Sequence, residues 1–118
     1  MALLVALYQV NSLIVALDKL AANQSRNEML GVACFFRGLI YYNLVSRYGE
    51  VPILKMPFSG DIAASTEEEG WNFVEENFQS AIDYAPVFTD KHYVSKQAAK
   101  ALMARTKLAR GKLTEAAK

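Results

Sequence analysis

Five glutamates stand close enough in the sequence to suggest acid–base chemistry: Glu67, Glu68 and Glu69 in a row, then Glu75 and Glu76. Two carboxylates facing each other across a cleft can split a glycosidic bond, one as acid and the other as base or nucleophile. That chemistry needs a second wall, and nothing in the sequence brings another acid opposite these. Glu67, Glu68 and Glu69 follow Ser65 and Thr66, and acids are favoured in a helix's first turn, where unpaired N–H groups are partly positive. A solvated helix face is the better reading. The single histidine, His92, has no serine or cysteine partner at a recognisable spacing, so a nucleophilic triad is not indicated. Cys34, the one cysteine, falls among apolar residues and reads as an inert core thiol. One cysteine and one histidine leave no internal disulfide, no Cys/His metal site and no expected cofactor.

Two arginines are more informative. Arg37 and Arg105 each fall within an apolar helical stripe, and a buried guanidinium needs acceptors. Arg37 would either recognise a ligand or tie down the loop over 49–57. The structural role is preferred, with Tyr48, Gly49 and Pro52 as the loop's other anchors.

The elements that must position these residues are helices, because apolar side chains recur at spacings of three and four. In the first, Leu3, Leu7, Val10, Ile14 and Leu17 form a stripe widened by Leu13 and Leu20, with Asn23 marking its end. The second opens on a capping box of Ser25 and Glu28, in which each side chain satisfies the other residue's backbone N–H. It carries Leu30, Cys34, Arg37, Tyr41, Leu44 and Tyr48 on one face and stops at Gly49 and Pro52. A long extended connection over 50–64 contains Pro52, Pro57 and Gly60, and Val51, Ile53 and Leu54 are too apolar to leave the helices. The third helix starts at a box of Ser65 and Glu68, buries Trp71, Val74, Phe78, Ala81, Ile82 and Ala85, and ends at Pro86. The fourth starts at Ser95 and buries Ala98, Ala101, Leu102, Arg105 and Leu108 as far as Gly111. Residues 112–117 read as the first turn of a fifth.

The expected fold is therefore all-α: two antiparallel hairpins stacked as a tetratricopeptide-like right-handed array, one domain over 1–118. A chain of 118 residues with 53% apolar and 21% charged side chains has enough material for one core. Its net charge of +1, with basic residues spread singly, argues against nucleic acid as a partner. The apolar start lacks a preceding positive charge and is interrupted by Gln9, Asn11 and Ser12, so it does not read as a signal peptide. Val32-Ala33-Cys34 follows a polar stretch and does not read as a lipid-anchor site. The array breaks off inside a unit, so the chain is expected to be a fragment of something longer, and to self-associate through the exposed repeat face.

Several stretches in order resemble one family. Asn27-Glu28-Met29-Leu30, then Phe35-Phe36-Arg37-Gly38-Leu39-Ile40-Tyr41-Tyr42-Asn43-Leu44-Val45, then Arg47-Tyr48-Gly49-Glu50-Val51-Pro52-Ile53, resemble the signature of SusD/RagB proteins. That signature has an aromatic-rich helix with a central arginine, closed by Tyr-Gly-x-Val-Pro. Ser65-Thr66-Glu67-Glu68 and Ala98-Ala99-Lys100-Ala101-Leu102-Met103-Ala104-Arg105 resemble the family's next helices, and Leu7-Tyr8-Gln9-Val10-Asn11 suits the one before. The resemblance covers nearly the whole chain.

It implies a non-catalytic scaffold portion of a glycan-capture protein on the cell outer membrane, an outward-facing lipoprotein in the family. It implies a TonB-dependent, SusC-like transporter as partner and an oligosaccharide as ligand. Aromatic faces suit the C–H faces of sugar rings, so Phe58 and Tyr93, in loops, and Trp71, on a stripe, are the candidate carbohydrate contacts. Tyr41, Tyr42, Tyr48 and Phe73 sit at helical spacing and read as core. The other reading open from the residues is a short repeat adaptor that holds another protein's peptide or helix.

Overall fold

The structure is a computed structural model and describes residues 2–54, 65–86 and 95–111. It contains α1 (Ala2–Asp18), α2 (Gln24–Tyr48), α3 (Glu67–Tyr84) and α4 (Lys96–Ala109), and no strand among the described residues.

A polar side chain starts each of the last three helices. The Asn23 side chain accepts from the Arg26 N–H at 2.9 Å, and the Ser95 hydroxyl accepts from the Ala98 N–H at 3.2 Å. At α3, Thr66 and Glu69 form a reciprocal capping box. The expected boxes of Ser25 with Glu28 and of Ser65 with Glu68 are thus both displaced. At α2 the cap moves back to Asn23, and Glu28 instead accepts from Gln24 one turn earlier, at 3.1 Å. At α3 the shift by one residue frees the Ser65 N–H, which donates to Val51 O at 3.0 Å and ties the helix start to the preceding segment. Asn23 therefore opens α2 and does not close α1, which ends at Asp18.

Contacts at both ends of each neighbouring pair run in opposite order, so the helices are antiparallel. Arg26 bonds Leu17 O while Arg37 bonds Asn11. Lys96 bonds the carbonyls of Ile82 and Asp83, while Arg110 at the far end of α4 pairs with Glu75. The two hairpins, α1–α2 and α3–α4, meet where α2 lies along α3. The molecule measures 37 × 35 × 22 Å, and the short dimension corresponds to two helix layers of about 10–12 Å each.

The α2–α3 crossing is close because glycines of both helices line it. A Cβ on Gly31 would meet Ala85 N at 2.3 Å and Tyr84 C at 2.6 Å. A Cβ on Gly38 would meet the Phe78 ring at 2.8 Å, and one on Gly70 of α3 would meet Val45 at 2.8 Å. The series 31 against 85, 38 against 78 and 45 against 70 is the antiparallel register itself. Beside it the main core gathers Leu7, Tyr41, Leu44, Val74, Phe78 and Met103.

The stripes of α1, α2 and α3 keep their expected phase, and that of α4 is rotated. In α4 the buried face is Ser95, Ala99, Met103 and Thr106, while Ala101, Arg105 and Leu108 are exposed. Alanines on several sides of a helix make its apolar face ambiguous, and the contact with α3 decides it. Leu13, Leu20 and Tyr48 are also exposed, whereas Asn11 and Asn77, polar residues in apolar phase, are buried. Trp71 and Leu30 are half-buried. α2 is long and apolar enough by composition to cross a bilayer, but half of that window is buried against the other helices, as in a core helix.

Candidate functional site

After α2 the chain turns at Gly49, whose φ of 72° lies in the left-handed region, and whose N–H donates to Val45 O at 2.9 Å. It then runs without helix over 51–54, with Val51 buried. An irregular segment against a core needs partners for its backbone, and α1 and α2 supply them. The Tyr41 hydroxyl donates to Pro52 O at 2.9 Å and accepts from the Leu54 N–H at 2.7 Å. Asn11 Nδ2 donates to Leu54 O at 2.9 Å. One phenol and one amide thus hold three backbone groups of the segment.

Arg37 sits behind this clamp. Its Nε donates to Asn77 Oδ1 at 2.7 Å and its Nη1 to Asn11 Oδ1 at 3.2 Å, and its guanidinium lies over the Phe73 ring, 5.0 Å from the centroid. Asn77 in turn donates to Phe73 O at 2.8 Å. A guanidinium over an aromatic face gains from the ring's negative quadrupole while its N–H groups reach neutral acceptors. The arrangement joins α1, α2 and α3 through one side chain. Burial lowers the Arg37 pKa, opposed by Cys34 and the acids around it. Burial likewise raises the Tyr41 hydroxyl, opposed by its bond to Leu54, and raises the Cys34 thiol, opposed by Arg37. The raised thiol and phenol are therefore both neutral at neutral pH.

The expectation for Arg37 was direct anchoring of the loop. Within the described residues its bonds go to Asn77 and Asn11, and it bears on the segment through Asn11. Of the other expected anchors, Gly49 makes the turn and Pro52 offers its carbonyl to Tyr41. Tyr48 is 61% exposed and lines a cavity of about 380 Å³ with Leu7, Leu44 and Leu54. Tyr41, placed in the core by its spacing, is fully buried but contributes a hydroxyl that spacing does not reveal. Asn11 and Asn77 carry a sequence signal after all: each is a lone amide on an apolar face, in phase with Leu7 and Ile14 or with Phe73 and Ala81.

Of the three carbohydrate candidates, Trp71 alone lies among the described residues. Trp71 is half-buried, its ring edge-on to Tyr42 with centroids 5.5 Å apart. Phe58 and Tyr93 lie outside the described residues, as does His92. Glu69 closes the α3 capping box and Glu75 pairs with Arg110, so these acids have structural partners. Arg105, expected in a stripe, is exposed. Among the described residues no group of three His, Cys, Asp or Glu is gathered as a metal site would require.

The sequence from 4 to 108 matches a SusD-like family described as "Starch-binding associating with outer membrane". No curated protein matches the sequence. Among solved structures, a SusD superfamily protein from Bacteroides vulgatus superposes with a TM-score of 0.88 at 21% identity, over 97% of this chain and 26% of its own. A laminarin-binding SusD-like protein gives 0.85 at 23% identity, over 94% of this chain and 26% of its own. A structure solved with a xylogluco-oligosaccharide gives 0.80 at 21% identity, over 89% and 22%. The chain therefore spans about a quarter of the length of these structures. At such identities the superpositions establish the fold, and the match over nearly all of the sequence establishes the kinship: this chain belongs to the SusD-like family.

Proposed function

We propose that the chain is the non-catalytic helical scaffold of a glycan-capture protein, an outward-facing lipoprotein of the outer membrane that works with a TonB-dependent transporter in glycan uptake. The observation that carries this reading is the family match from 4 to 108, which takes in nearly all of the four helices and the clamped 51–54 segment. A scaffold needs rigidity more than chemistry, and the polar atoms are spent accordingly: among the described residues no buried side-chain nitrogen or oxygen lacks a partner. Starch, laminarin and xyloglucan fragments are the glycans to test first, given the family's description and the names of the neighbours. Phe58, Tyr93 and Trp71 remain the proposed aromatic contacts of this reading.

Affinity purification of the protein from solubilised outer membranes is the direct test. A TonB-dependent transporter should co-purify, and the complex should be retained on immobilised polysaccharide without releasing reducing ends. A folded protein that recovers no transporter and no polysaccharide would overturn the proposal.

A further inference from the structure

We draw no further inference here: the strongest candidate, the apolar cavity between α1, α2 and the clamped 51–54 segment lined by Leu7, Leu44, Tyr48 and Leu54, is an unpartnered face, and nothing in the structure shows what covers it.

Discussion

Tyr41 and Arg37 show how single side chains hold an irregular segment to a helical core. The Tyr41 hydroxyl satisfies Pro52 O and the Leu54 N–H together, so Tyr41→Phe leaves two backbone groups short of a partner. Stranding a buried polar group costs about 1–3 kcal/mol, and urea unfolding should show a loss of that size. Arg37→Met removes the donors to Asn77 and Asn11 and the cation over Phe73, with an expected loss of about 2 kcal/mol. A variant as stable as the parent would sink its structural role. The same groups set an alkaline limit. Burial raises Cys34 above its ordinary 9.0 and Tyr41 above its ordinary 10.0, so folding favours both protonated forms. Their stabilisation is complete below pH 9 and is lost as pH rises through the raised values. The urea midpoint should therefore fall on the alkaline side, and the part beginning near pH 10 should be missing in Tyr41→Phe.

At the scale of elements, the α2–α3 contact depends on the absence of side-chain atoms. A Cβ on Gly31 meets backbone, which cannot turn aside, whereas one on Gly49 comes no nearer than 3.8 Å to the end of a glutamate. Gly31→Ala should therefore cost about 3 kcal/mol by forcing the helices apart. Gly49→Ala should cost only its left-handed strain, about 1–2 kcal/mol. Thermal unfolding of the two variants side by side checks the order, and equal losses would contradict the close approach. The sequence singles out Gly49, because Tyr-Gly-x-Val-Pro is a local signal for a turn. Gly31 carries no such mark, since its constraint comes from a residue 54 positions away, Ala85. The same contrast runs through the caps. Ser95 is legible because nothing nearby competes with it, while Asn23 against Ser25, and Thr66 against Ser65, are choices among good caps that packing decides.

For the whole molecule, the two-layer stack leaves large apolar side chains in solvent: Leu13 and Leu20 on the α1 side, Met29 and Phe36 on α2, Leu108 on α4. Apolar surface left without a neighbour promotes association, so the chain should self-associate as its concentration rises. Sedimentation velocity should show a weight-average coefficient that climbs with concentration, and a clean monomer at the highest soluble concentration would count against it. The solved structures that share this fold are about four times longer, which makes a helical quarter that exposes apolar side chains physically unsurprising.

The sequence by itself determined the helices, their approximate limits, the turn at Gly49 and the family, because periodicity, capping and ordered motifs are local and need only a few neighbouring residues to be read. Only the tertiary structure decided which face of α4 is buried, that Gly31 is a point of helix contact, and that the 51–54 segment hangs on a tyrosine hydroxyl and an α1 asparagine with Arg37 behind them. Those features join residues dozens of positions apart, and a pattern along one helix cannot show which neighbour will arrive against it.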